Sequence, residues 1–309
     1  MTGLTGWRLA FAFVVFPGFA FTAGMGLVLT WVDRFVSARV QWRKGPPLYQ
    51  PLADMLKLLL KQTVVPAGAS KTTFLLAPIL GFAAMCVTAV LLFYVNFFPR
   101  GSFVGDLIVL VYLFALPPIA VIIGASASRN PLSAVGASRE MTLYLGYELP
   151  FLLALAVPVI RTGGAIRLGD LVLAQQASGP FLYSVSGVIA AAIVLICIQA
   201  KLGYPPFDIA EAEQEIMSGV LIEYSGVPLA MFRLTKAMML FLMPCFLVTV
   251  FWGGLTSWWA ILKFLAIVVL VILIKNTNPR FKIEHALRFF WFILGALGIV
   301  AVVLAFAKL

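Results

Sequence analysis

Apolar runs long enough to cross a bilayer constrain this chain more than any other feature. They lie at about 10–32, 74–97, 107–127, 141–160, 183–200, 229–252, 258–274 and 289–307. A transmembrane helix needs about 20 such residues to span the hydrocarbon layer. Inside lipid every backbone polar group must find its partner within the protein, which leaves only helices and closed barrels. The short alternating segments of a barrel are missing. The expected fold is therefore all-α: a polytopic membrane protein of about eight transmembrane helices, forming a single membrane domain over residues 1–309. The first run continues too far for a signal peptide and has no clear cleavage site, so it is read as a span. Charged residues make up only 11% of the chain, against about 25% in globular domains.

The net charge of +10 is unevenly distributed along the chain. The loops following spans 1, 3, 5 and 7 hold fourteen Lys and Arg residues, and the alternate loops hold three, Arg100, Arg161 and Arg167. The positive-inside rule then puts residues 33–73 and 201–228 in the cytoplasm and both termini outside, in a cell (cytoplasmic or inner) membrane. Trp7, Trp31, Tyr94, Trp252, Trp258 and Trp259 fall near span ends, as interfacial aromatics do. No basic tract alternates with aromatics as a nucleic-acid groove binder would. Pro117, Pro118, Pro150, Pro158 and Pro244 are expected to kink or interrupt their helices.

Between spans 1 and 2, residues 49–61 read as an amphipathic surface helix. Leu52, Met55, Leu56, Leu59 and Leu60 recur at helical spacing on one side. Asp54, Lys57 and Lys61 lie largely elsewhere, so the helix would rest in the interface or under a partner. Arg43, Lys44, Asp54 and Lys57 are the candidate docking surface. The outer loop 161–182 suggests no chemistry.

Residues 201–226 hold five of the twelve acidic side chains, Asp208, Glu211, Glu213, Glu215 and Glu223. If the middle of this stretch is helical, Asp208, Glu211 and Glu215 fall within about 60° of one another. Like charges so close raise proton affinity and make the group a candidate for proton handling. Glu140 marks the start of span 4, and Glu148 is eight residues further, about 12 Å into the membrane. An ionisable group at such depth marks an ion path or a buried pair. Arg233 and Lys236 are its candidate charge partners. Cys86, Cys197 and Cys245 lie singly inside apolar runs and suit neither disulfides nor metal, and the one histidine, His285, makes no metal site. No phosphate-binding loop or nucleophile elbow is present. Catalytic residues are therefore expected in partner subunits.

Four blocks together resemble the subunit 1 family of respiratory complex I, which includes the matching anchor subunits of energy-converting NiFe-hydrogenases and formate hydrogenlyases. They are Gly45–Lys57 with Pro66–Ala69; Ser138–Met141 with Gly146–Glu148; Pro206–Glu215; and Glu223–Gly226. The resemblance implies a non-catalytic anchor that docks a hydrophilic redox arm and passes redox energy to proton or sodium translocation. It implies a coupling path through Glu140, Glu148, Asp208, Glu211, Glu213, Glu215 and Glu223. Iron–sulfur clusters and a NiFe centre would sit in partner subunits, an iron–sulfur small subunit and a hydrogenase-like large subunit, with antiporter-like subunits alongside in the bilayer. Quinone-reducing members carry a longer segment after the first span than Arg43–Pro47. They also carry Ala-Ala-Gln-Met where this chain has Ser138–Met141. Both departures favour the hydrogenase branch over the alternative, a quinone-site subunit of NADH-quinone oxidoreductase. A stand-alone carrier is the reading from another class. It accounts for the spans and buried acids but not for the surface helix and polar platform.

Overall fold

The computed structural model describes residues 6–308. Within them the chain runs α1 Gly6–Val14, α2 Phe19–Val40, α3 Gln50–Leu60, α4 Lys71–Phe97, α5 Asp106–Ala127, α6 Pro131–Arg161, α7 Leu168–Ser178, α8 Val185–Lys201, α9 Glu213–Ile216, α10 Gly226–Phe251, α11 Ala260–Thr277, α12 Ile283–Arg288 and α13 Gly295–Phe306. A π-helical turn, Phe289–Leu294, joins the last two. Seven helical stretches are long and apolar enough to cross a membrane, and α8 is a shorter apolar helix. The protein is thus the expected all-α, multi-span type.

The bundle is organised around α10. Beyond Lys236 it carries no charge, and Ala237–Phe251 is buried all round, the pattern of a helix enclosed by others. It packs against α2, α3, α4, α8 and α11. Its approach to α2 is close because position 26 is glycine: a Cβ there would stand 2.5 Å from the Ala237 carbonyl oxygen. Aromatic rings fill the layer around it, including Phe21, Phe93, Phe241 and Phe264.

Three expectations need correction. Pro117, Pro118, Pro150, Pro158 and Pro244 do not interrupt their helices, where neighbouring helices can re-satisfy the freed carbonyls. The fourth span is longer than hydropathy suggests. Asn130 caps α6 by accepting from the Leu132 N–H at 2.9 Å, with Pro131 at the first helical position, a favoured helix start. The outer segment 161–182 is not a plain loop: it contains α7, which buries Leu168, Leu171, Val172 and Gln175. The Gln175 amide donates to the Thr249 and Val250 carbonyls at 3.0 and 3.1 Å, tying α7 to the end of α10.

Candidate coupling site

The amphipathic segment forms α3, with its faces divided differently from the expectation. Leu52, Leu56, Leu59 and Leu60 are exposed, whereas Asp54 and Met55 turn inward to a cavity of about 560 Å³. Asp54 is therefore part of the cavity wall, with its side chain still 30% exposed. Arg34 Nη1 donates to its carboxylate at 2.6 Å and Gln50 Nε2 at 3.1 Å. The Arg34 hydrogen bond holds the Asp54 carboxyl below the usual carboxylate range. Arg43, Lys44 and Lys57 are not part of that wall.

The acidic stretch is mostly turns, with a short helix at Glu213–Ile216 and a 3-10 turn at Gly219–Leu221. Asp208, Glu211 and Glu215 consequently do not share a helical face. Each meets a base from a different element instead. Asp208 accepts from Arg280 Nη2 at 2.8 Å, Glu211 pairs with Lys236 Nζ at 3.0 Å, and Glu215 accepts from Arg139 Nη1 at 2.6 Å. The Glu213 side chain lies outside the described residues. Burial raises the Asp208 carboxyl above its ordinary range, against the pull of Lys236 and Arg280.

The local cause of this arrangement is Pro205-Pro206-Phe207. The Pro206 carbonyl accepts from the Phe281 N–H at 2.9 Å. The Phe207 ring packs among Phe281, Phe289 and Phe290. This fixes Asp208 beside Arg280 and leaves no register for a continuing helix. The Glu223–Gly226 block is a clamp. Glu223 accepts from Asn130 Nδ2 at 2.5 Å. Tyr224 stacks on Phe74 at 4.1 Å and donates to its carbonyl at 3.0 Å. Ser225 Oγ accepts from the Val64 N–H at 3.1 Å. Gly226 takes φ +62°, and the Lys61 carbonyl oxygen lies 2.8 Å from where a Cβ would stand. Glu215 and Glu223 are not among the cavity's lining residues, whereas Glu140, Asp208, Glu211, Arg233 and Lys236 are.

The deepest pair was not legible from the sequence. Glu148 is bound by Lys201, not by Arg233 or Lys236. Lys201 Nζ donates to Glu148 Oε2 at 2.6 Å, with the lysine side chain fully buried and the glutamate side chain 17% exposed. The ammonium also lies 4.9 Å from the Tyr147 ring centre and 4.6 Å from that of Phe151, where cation–π attraction adds to the ion pair. A second unforeseen pair, Lys275 Nζ with Asp33 Oδ2 at 2.6 Å, ties α11 to α2. The Tyr204 ring lies between two cations, 4.5 Å from Lys275 Nζ and 5.4 Å from Lys236 Nζ. The result is a broken line of charges that runs from Asp33 past Tyr204 to Glu211, with Lys201 in the cavity wall and Glu148 behind it.

The model of the family described as NADH dehydrogenase matches residues 12–306. The H subunit of NADH-quinone oxidoreductase from Thermomicrobium roseum is 32% identical over 89% of this chain and 89% of its own. Its counterpart from Bacillus mycoides is 34% identical over 85% and 83%. A solved structure of the membrane-bound sulfane sulfur reductase, an archaeal respiratory membrane complex, superposes with a TM-score of 0.81. It is 28% identical over 92% of this chain and 96% of that one.

Proposed function

The chain belongs to the NADH dehydrogenase family, and on that footing we propose that it anchors a hydrophilic redox arm and couples that arm to ion translocation. The assembly would be of the NiFe-hydrogenase type, with a NiFe centre and iron–sulfur clusters in a large and a small partner subunit. Antiporter-like subunits would adjoin it in the membrane. Arg43, Lys44 and Lys57 would face the arm, and residues 201–228 would lie on the cytoplasmic side.

One observation carries this reading: the Lys201–Glu148 ion pair, enclosed by α6 and α8 next to a cavity lined by Glu140, Asp208 and Glu211. A buried pair is a poor way to gain stability, because desolvation offsets most of the attraction. Its retention beside further ionisable groups supports a path for charge. A redox change in the docked arm would shift proton occupancy at Asp208 and Glu211, then at Glu140 and Glu148, by electrostatics alone. Glu213, Glu215 and Glu223 would belong to the platform under the arm. Glu148→Gln keeps the size and one acceptor but loses the titratable proton. In the complex reconstituted into vesicles with an ion-sensitive dye, translocation per electron should fall at least ~10-fold, the loss of about 1.4 kcal/mol or more of coupling. Redox activity with artificial carriers should remain. Normal translocation in this variant would remove the coupling role.

The cavity favours a second reading. Its wall pairs an apolar half, including Met55, Pro117, Pro118 and Phe232, with a polar half of Arg34, Asp54 and Lys236. Such a division suits an amphipathic quinone, and the relatives from Thermomicrobium and Bacillus are named as parts of a quinone oxidoreductase. Inhibition of turnover by quinone analogues, relieved by Phe232→Ala, would favour this reading over the hydrogenase type.

A further inference from the structure

Lys201 occupies a position that a simple counter-charge does not require. It is the last residue of α8, it forms part of the cavity wall, and its ammonium is bonded to Glu148. The cavity contributes Glu140, Asp208, Glu211 and Lys236 to the same lining. From the protein side, Lys201 meets Glu148 and Tyr147 of α6 and Cys197 of its own helix. Tyr147 stands on α6 between Glu140 and Glu148 in sequence, one position before the latter. The Tyr147 hydroxyl and Gln199 Oε1 are buried polar atoms with no protein partner among the described residues. Buried polar atoms of this kind are ordinarily satisfied by water. The Tyr147 hydroxyl thus offers a polar atom to water close to Lys201, whose ammonium lies 4.9 Å from the Tyr147 ring centre.

We propose that Lys201 is the proton carrier between the cavity and Glu148. The inference rests on the coupling role proposed above for Glu148. In the forward step one N–H bond of the Lys201 ammonium breaks as an O–H bond forms on Glu148, leaving a neutral amine and a carboxylic acid. The amine then takes a proton from cavity water or from protonated Glu140. Glu148 passes its proton to a basic group of the adjoining membrane subunit, and the ion pair re-forms. Lysine suits this because it can lose its proton when desolvated, whereas arginine stays charged. The two aromatic faces hold the ammonium in place while it waits.

The arginine variant separates carrier from counter-charge. Lys201→Arg preserves the positive charge and can still bind Glu148, yet its guanidinium will not release a proton. In the whole complex, purified and reconstituted with a pH-sensitive dye, protons moved per electron should fall to about a tenth or less. Assembly and redox activity with artificial carriers should be retained. Normal proton movement in Lys201→Arg would overturn the carrier role. Glu148→Gln, run in parallel, distinguishes the two failures. If it blocks translocation while Lys201→Arg does not, only the lysine inference falls; if it pumps normally, the coupling reading falls first. Should Lys201→Arg not assemble, Lys201→Gln is the second variant, expected to assemble and to show the same loss. Failure of both to assemble would make Lys201 a structural counter-charge and overturn the proposal.

Discussion

Replacing Gly226 by alanine is expected to loosen α3 and the linker behind it by about 2–3 kcal/mol, the sum of a backbone cost and a lost contact. Gly226 has φ +62°, and a left-handed conformation costs an L-residue about 1–2 kcal/mol. The added Cβ would stand 2.8 Å from the Lys61 carbonyl oxygen, 2.8 Å from Thr63 Oγ1 and 2.9 Å from the Gln62 carbonyl oxygen. Two of these are backbone atoms, so the linker must move. That movement breaks the hydrogen bond from the Val64 N–H to Ser225 Oγ, worth about 1 kcal/mol net. At about 1.4 kcal/mol per factor of ten, the local opening equilibrium should rise roughly 30- to 140-fold. Hydrogen exchange of the detergent-purified complex, followed by mass spectrometry, reads this directly. Peptides covering 50–65 should exchange faster by that factor, while 238–251 in the buried half of α10 stays protected. Gly24→Ala is the control, since no atom lies within 4 Å of its Cβ position. Unchanged exchange at 50–65 in the Gly226 variant would refute the idea that this glycine seats the linker.

Two other outcomes follow from the same face of the molecule. For topology, Trp42→Cys and Met217→Cys, exposed by 97% and 67%, should react with membrane-impermeant thiol reagents only in inverted vesicles. Efficient labelling of either in intact cells would reverse the orientation. For pH, the Asp54 carboxyl is held below its ordinary value by Arg34, so its contribution is full above about pH 4 and is lost as pH falls through the lower folded value. The pair is partly exposed and is worth about 1 kcal/mol or less. Spin labels at positions 56 and 217 should therefore keep one distance distribution from about pH 8 to about pH 5 and broaden only in stronger acid. A transition at or above about pH 5 would assign α3 docking to another group.

The spans were legible because lipid imposes one solution on the backbone, so hydropathy alone locates most of them. Ends were less clear where a helix leaves the membrane. The first turns of α6 carry Arg139 and Glu140 and look like loop by hydropathy, although Asn130-Pro131 is a helix-start signal in its own right. Similarly, α7 shows Leu168, Leu171, Val172 and Gln175 at helical spacing in a segment whose mean composition is mild. For α3, periodicity gave the helix and the leucine stripe. It did not show which face would meet protein, because that depends on a cavity built by α2, α5 and α10.

Pairing was the part the sequence could not yield. The carboxylates were recognisable as a set, but their partners are remote along the chain: Lys201 is 53 positions from Glu148, and Lys275 is 242 from Asp33. Helical proximity arguments cover only three or four positions, and Arg233 and Lys236 were candidate partners for Glu148 only by their place near the start of the sixth span. Lys236 is instead held by Glu211, and Arg233 stands at the cavity without an ion pair among the described residues. The difference changes the electrostatic logic. Unpaired like charges would share protons because they repel. Carboxylates each matched to a base exchange protons only when an incoming charge disturbs one pair, and the next pair must then readjust. Neighbouring pairs of that kind respond to a distant redox change in sequence, with small movements and no large rearrangement in the membrane. Under the coupling role proposed above, Lys201–Glu148, a buried pair whose lysine forms part of the cavity wall, would receive such a disturbance from the cavity.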